Sequence, residues 1–522
     1  MLSPRIHRFI FILGLVGLAA GVMFGTVPTS IPQFVLFGNW LLEGRWKEKW
    51  SFIKSNRIFW ILSSVFILHL LGLIHTMDLQ RGLDDIRIKI PLVLLPLVFF
   101  TTSPLTKSEL NLVLNFFITG VVVSALWCLF YYYSHELTDI RKASRFMSHI
   151  RFGLFINLAI AVLVYYLRDT QTIVQKILIL FLILYLIGVM FLLSLVTGLV
   201  MLLIMVGFYL LYYIFNQKFI YKMLGLATLL VLTLVAFYFF KSEWQQFNYV
   251  SGDASNSQKK ESYSGRVYFS PDTTNKHTEN GYYIAYNLQY DELHAQWPKR
   301  SKLPVYGKDK KGGKIIWTLI RYLSSKGLTK DSVGIASLSQ QDVTNIENGV
   351  TNYVYADASP IANRLHELFW EYRDYKQGSN PSGNTLLMRV EFWKAAVYII
   401  KRSPWIGVGT GDAQRAFTKA YHRTKTKLTH EWRLRSHNQF LAITVSFGVI
   451  GLAVFLFSLA YPSIVLRKYV HGLYFVFLLI AAVSFFTEDT LETQSGVSFF
   501  AFFNTLFIWG ASFAKKNDSV ES

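Results

Sequence analysis

Between Arg389 and Ser436 the chain gathers eleven Lys and Arg residues against only three acids, Glu391, Asp412 and Glu431. Two chemistries fit that density: a solvated basic face on anionic lipid headgroups, or a cradle for a lipid diphosphate. Helical geometry separates one arginine from the rest. At about 100° per residue, Phe392, Trp393, Ala396, Val397, Ile399 and Ile400 form an apolar stripe that ends before Pro404, and Arg389 falls in its middle. Glu391, Lys394, Lys401 and Arg402 are expected on the opposite, solvated face. A guanidinium aimed at the buried side is costly unless it meets an anion, and its planar fork suits phosphate oxygens. The alternative is a structural arginine that is partnered or snorkels to water.

Two further features follow Arg389 in the chain. The run Trp405-Ile406-Gly407-Val408-Gly409-Thr410-Gly411-Asp412 has glycines at which backbone N–H groups could approach a phosphate, although a tight turn after a helix stopped by Pro404 explains them equally well. Ser436-His437-Asn438-Gln439 reads as a Ser-x-x-Gln capping box directly before the apolar stretch 440–457, which places His437 on a first helical turn. There the positive end of the helix dipole disfavours imidazolium, leaving a neutral ring able to accept a proton. The competing role for His437 is that of an interfacial anchor.

The elements that must position these residues belong in lipid. Of the 522 residues 52% are hydrophobic and 16% aromatic, and the apolar residues come in long runs. A bilayer crossing needs roughly 20 such residues in a helix, because every backbone polar group must be paired within the segment. The runs give about twelve expected spans, at 9–24, 27–43, 58–75, 89–102, 109–132, 152–168, 173–191, 193–215, 220–240, 437–460, 470–487 and 497–514. Basic residues in the short segment between the second and third spans (Arg45, Lys47, Lys49, Lys54, Arg57), with Lys515 and Lys516 after the last, put both termini in the cytoplasm. The expected plan is an all-α polytopic membrane protein with helices in 1–240, one large outer insertion at 241–436, and helices with a cytoplasmic tail in 437–522. Amphipathic patterns at Ile315, Leu319, Ile320 and Leu323, and at Ile361, Leu365, Leu368, Phe369 and Tyr372, make the insertion a helical domain.

Composition also excludes some classes. The net charge of +20 is spread through loops between spans and forms no basic stripe beside a soluble nucleic-acid fold, so membrane lipids rather than nucleic acid are the expected partners. The single cysteine, Cys128, permits neither a disulfide framework nor a cysteine-based metal site.

Arg389 with Trp393, the segment Pro404-Trp405-Ile406-Gly407-Val408-Gly409, the run His437-Asn438-Gln439-Phe440-Leu441 and then Phe447-Gly448-Val449-Ile450-Gly451 together resemble the O-antigen ligase and polymerase superfamily. The likeness is densest over 385–460. The outer region, including Arg321-Tyr322-Leu323 and Gly327-Leu328, is similar to Bacteroidetes-type members. The resemblance implies a metal-independent, inverting glycosyltransferase of the GT-C class, without a cofactor. Its site would lie at the periplasmic face of the bacterial inner membrane. There it would take a glycan from undecaprenyl diphosphate and pass it to a lipid A core sugar or another glycan acceptor. His437 would be the general base and Arg389 would hold the diphosphate, with Arg435, Asn438, Gly407 and Gly409 expected to bind substrate. Members often carry another arginine near the position that here reads Leu193-Ser194-Leu195-Val196-Thr197-Gly198. Arg151 or Arg266 would substitute for it, unless each is an interfacial anchor.

Other functions compete with this one. An O-antigen polymerase extending lipid-linked repeats shares the motifs, and transfer to protein or another surface glycan is a further variant. Asp84-Asp85 is the pair through which a metal-dependent lipid-linked glycosyltransferase would bind a divalent cation, although two acids flanked by Arg81 and Arg87 more often form surface ion pairs. Glu488, Asp489 and Glu492 would either salt-bridge the basic segment or be solvated. A polysaccharide flippase or exporter would place charges at mid-membrane depth, where the expected helix centres hold almost none. A membrane acyltransferase would carry its histidine within a span.

Overall fold

The computed structural model describes residues 2–135, 140–215, 218–252, 256–270, 277–358, 360–468 and 472–521. It is 72% helix with almost no strand, as an all-α polytopic membrane protein requires. Among the described residues, seven helices are long and apolar enough to cross a bilayer: Pro4–Gly21, Lys107–Ser134, His149–Asp169, Ile173–Leu192, Val196–Phe215, Phe219–Asn248 and Gln439–Val465. An eighth candidate is the pair Trp46–Ser55 and Arg57–Gly72, bent by 85° at Asn56.

The count of twelve is therefore not what helix length and composition support among the described residues. The expected span 89–102 yields only Pro91–Phe100, ten residues or roughly 15 Å, about half the hydrocarbon thickness. The helix Thr26–Glu43 carries Pro32 and buries Thr29, Gln33 and Asn39, so it is less apolar than its length suggests. Gly472–Thr487 is short, at sixteen residues. The last helix, Gln494–Glu521, has side chains described only through residue 510, so those of Lys515 and Lys516 lie outside the described residues. The split of the long apolar run near Leu193 is observed: Ser194 turns left-handed (φ 51°) between two helices.

The chain divides into two compact units. One comprises Met1–His135, Ile140–Tyr209 and Asn380–Ser522; the other is essentially Leu210–Ser379. The stretch expected as a single insertion, 241–436, is thus cut at residue 380, and its basic segment packs with the apolar helices of the first unit.

In the second unit the helix Ile315–Ser325 buries Ile315, Leu319, Ile320 and Leu323 against Leu293, Trp297, Val343 and Ile346, as its 3.6-residue pattern requires. The helix Pro360–Lys376 lays Phe369 and Trp370 on Phe247, while Tyr372, expected on the same buried face, is exposed. Glu279, fully buried, is held by Arg321, Asn352 and His366. Three partners around one carboxylate satisfy the rule that buried charges be paired.

In the first unit, the polar side chains of interest lie at helix ends and in the turns between helices. Four elements supply them: the helix Thr385–Arg402, the turn 435–438 ahead of Gln439–Val465, the acidic turn 488–492 ahead of Gln494–Glu521, and the start of His149–Asp169.

Candidate active site

The helix Gln439–Val465 is broken in its third turn. Gly448 adopts φ 65° and ψ −165°, which removes the i to i−4 bonds around it. The freed groups find partners in the glycine run. Val408 and Gly409 donate their N–H groups to the carbonyls of Val445 and Ser446 (3.0 and 2.9 Å), while Val449 and Ile450 donate to the carbonyls of Pro404 and Trp405 (2.8 and 3.3 Å). This reciprocal exchange satisfies the accounting that buried backbone demands. It also needs backbones closer than a side chain allows: a Cβ on Gly407 would sit 2.3 Å from the Ser446 carbonyl carbon, and one on Gly448 2.2 Å from that of Trp405. Gly407 and Gly409 are thus explained by close packing, and the Gly409 N–H, expected to face a phosphate, is already used.

The entry to this helix also differs from the expected capping box. The N-cap is Asn438, whose Oδ1 accepts from the Leu441 N–H (3.0 Å), and the helix begins at Gln439. His437 stands outside it with φ 45°, so the helix dipole is not what governs its ring. The reason is that the residues around His437 are held by another part of the chain. Asn438 Nδ2 donates to the Phe486 carbonyl (3.1 Å) and the Leu491 N–H donates to Gln439 Oε1 (2.7 Å), which stitches the helix entry to the acidic turn. With both ends of its amide occupied, Asn438 serves the backbone. Trp393 closes the arrangement from the other side by donating its indole N–H to the Ser436 carbonyl (3.1 Å).

Each acid of the turn 488–492 has a basic partner. Glu488 meets Arg151 (Oε2 to Nε, 2.9 Å) and accepts from Ser148, the cap of the helix His149–Asp169. Asp489 Oδ1 lies 3.4 Å from His437 Nδ1. Glu492 Oε2 bridges Lys89 Nζ (2.9 Å) and Arg435 Nη1 (3.1 Å). Lys89 is completely buried, so this is a buried ion pair with the stakes such pairs carry. Asp85 approaches Arg435 at 3.9 Å, and its expected fellow ligand Asp84 adds only repulsion to it. Among the described residues no group of three or more His, Cys, Asp or Glu could hold a metal ion.

The two neighbouring acids differ in electrostatics. Burial pushes the Glu492 carboxyl up, but Lys89 and Arg435 outweigh it and hold the group at about 2. Asp489 is raised above the ordinary aspartate value, by burial first, with His437 acting against the shift and Glu492 adding to it. Glu492 is therefore the committed anion, and Asp489 is the acid whose charge depends on the imidazole beside it.

Arg389 is half-buried at the edge of its helix's inward face. That face is rotated from the expected stripe: Met388, Glu391, Phe392, Ala395, Ala396 and Ile399 are buried, while Val397 is exposed. Glu391, expected in solvent, is inside because Lys394 (2.9 Å) and Thr426 (2.7 Å) satisfy its oxygens. Lys401 and Arg402 are exposed, as expected. Arg389 itself makes no hydrogen bond or ion pair among the described residues. Burial pushes its guanidinium down from the usual arginine value, and the carboxylates of Glu488 and Asp489 pull it back. The same two acids hold Arg151 and His437, and the Phe392 ring, less than a turn from Arg389, lies 5.4 Å from the His437 ring. Arg389, His437 and Arg151 thus converge on one acidic turn.

The start of the helix that carries Arg151 packs on the segment 193–198. His149, two residues before it, reaches the Ser194 carbonyl through Nε2 (3.2 Å), and Gly153 packs directly on Gly198. Arg266 belongs to the second unit, where it faces Asp291 at 3.7 Å with both side chains exposed. The residue that sequence reasoning missed is Lys89. The available signal was a lone lysine directly before Ile90-Pro91 at the head of an apolar run, where a cation must find an acid.

No curated protein matches this chain. Residues 334–456 match the family model described as O-Antigen ligase, a stretch that contains Arg389, the glycine run, Arg435 and His437 and leaves out Arg151, Lys89 and the acidic turn. Over 334–456, on the same residues that join at the broken helix, the chain is thus similar to the O-antigen ligase family.

Proposed function

We propose that this protein is a metal-independent, inverting glycosyltransferase of the GT-C type that moves a glycan from undecaprenyl diphosphate to a lipid A core sugar, at the periplasmic face of a bacterial inner membrane. In this reading the shorter helices are further crossings, bringing the total towards twelve, and both termini are cytoplasmic. One observation carries the assignment: a half-buried guanidinium with no hydrogen bond or ion pair among the described residues and an imidazole met at Nδ1 by Asp489 share one acidic turn. A half-buried guanidinium in that position is suited to bind an anion through its planar fork. Arg151 and Arg435 are engaged by Glu488 and Glu492, so of these three arginines Arg389 is the one that would hold the diphosphate, and the other two set the field around it.

The step is an in-line displacement. The acceptor hydroxyl oxygen bonds to the anomeric carbon as the bond from that carbon to the diphosphate oxygen breaks, and the electron pair leaves on the diphosphate. The hydroxyl proton passes to His437 Nε2, while Asp489 at Nδ1 fixes the tautomer and steadies the imidazolium that forms. Arg389 neutralises the charge that grows on the leaving oxygen.

Reconstituting the purified chain with a lipid-linked glycan tests the reading, with EDTA present and either a lipid A core acceptor or a second lipid-linked repeat. A gel shift of the lipid A core product supports a ligase, growth of the lipid-linked chain supports a polymerase, and no product with either acceptor overturns the proposal. Within that assay Arg389→Ala should lower transfer by about a hundredfold to a thousandfold, the loss typical of removing one preorganised transition-state donor. Lys401→Ala, exposed on the same helix, should stay within about twofold. Equal losses in the two variants would show that general basicity matters and not the position of Arg389.

A further inference from the structure

A second basic feature of the first unit lies apart from the His437 cluster. The end of the helix Thr385–Arg402, the helix Ala413–Arg423 and the residues 75–77 enclose a cleft of about 650 Å³. Four permanent cations line it, Arg402, Arg415, Lys419 and Arg423, joined by the imidazoles of His75 and His422. The lining has one carboxylate, Asp412, whose Oδ2 accepts the Met77 N–H (2.6 Å) and ties one wall to the other. The helix Ala413–Arg423 buries Phe417, Ala420 and Tyr421 and turns its cations away from that core, so the charge is a consequence of how the helix docks.

Exposed apolar residues adjoin the lining residues in the chain. Ile74 and Met77 are 82% and 81% exposed on one side, and Trp405 and Ile406, which follow Ser403-Pro404 of the opposite wall, are 68% and 58% exposed. A basic interior with an apolar rim suits an amphiphile that carries an anionic head and hydrocarbon tails. Free phosphate would satisfy the cations but leave the rim in water. We propose that the cleft is a binding site for the phosphate headgroup of an anionic membrane lipid. This site does not depend on the glycosyltransferase reading, because none of its residues belongs to the His437 and Arg389 cluster.

Native mass spectrometry of the full chain released from detergent, after equilibration with phosphatidylglycerol or phosphatidylcholine, measures the site directly. The parent should retain phosphatidylglycerol over phosphatidylcholine, and the Arg415→Gln/Lys419→Gln variant should bind phosphatidylglycerol about thirtyfold more weakly, from about a fivefold factor per cation at a lipid surface. His437→Ala should bind it like the parent, which separates failure of this site from failure of the proposed reaction. Retention by the double variant within about threefold of the parent overturns the proposal. So does equal retention of the two lipids, or displacement of phosphatidylglycerol by inorganic phosphate at matched concentration. Should the double variant unfold, the parent alone decides the matter: its phosphatidylglycerol preference must shrink as salt rises, and a salt-independent preference rejects the cleft.

Discussion

Purified His437→Ala should fold and bind the lipid-linked donor as the parent does, yet transfer its glycan about a thousandfold more slowly, within the range seen when a general base is removed. The ring contributes little to packing: it is partly exposed, lies beside the Phe392 ring, and its neighbours are held by bonds to the Ser436 carbonyl and from the Asn438 side chain. In the proposed reaction, what the substitution removes is the proton acceptor. Single-turnover transfer, with donor binding measured separately, distinguishes a lost base from a lost site. Asp489→Asn gives the matching control. It keeps the side chain's volume but withdraws the anion 3.4 Å from Nδ1, so its loss should lie in the turnover rate and its dependence on pH, with donor affinity unchanged. Near-normal transfer by His437→Ala would remove imidazole from the mechanism.

Glu492→Ala should destabilise the first unit by about 3–5 kcal/mol, the cost of leaving a buried charge without its partner. Lys89 is fully buried and its ammonium has Glu492 as its salt-bridge partner, while Arg435 shares the same oxygen. Removing the carboxylate therefore strands one cation in the interior and brings a second up against it. The double variant Lys89→Met/Glu492→Leu should recover most of the loss, because an apolar pair avoids the desolvation that the ions incur. Thermal unfolding in one detergent compares the three proteins, and a double variant no more stable than Glu492→Ala would sink the explanation. The pH dependence has a definite sign. The folded carboxyl is held at about 2, below its ordinary 4.5, so this contribution is complete above the ordinary value and is lost as the pH falls from there through about 2.

Much of the candidate site was legible in the chain because it is local. A dense basic segment, an arginine on the inward side of a short helix and a histidine just ahead of an apolar run are all patterns of near neighbours. They singled out Arg389 and His437, and both lie at the acidic turn 488–492. Where the reading failed, a distant partner had overruled a local rule. Glu391 was assigned to solvent by its angle on the helix, but Thr426 and Lys394 give its oxygens partners inside. Ser436 looked like the helix cap, but contacts from Phe486 and Leu491 moved the start of the helix and left His437 outside it. The glycines looked suited to phosphate, but the break at Gly448 had already claimed the N–H of Gly409.

By itself, the order of residues determined that the chain is helical and polytopic and where its strongest crossings lie, because apolar length and helical period depend on consecutive residues. It also determined that a basic stretch precedes one histidine. Only the tertiary structure decided which charges meet. Lys89 finds Glu492 across 403 positions and Arg151 finds Glu488 across 337. Burial leaves no water to satisfy a charge, so each cation in the interior must be claimed by an acid from wherever the fold brings one. Arg389 is distinguished because, among the described residues, the fold brings it none within bonding distance.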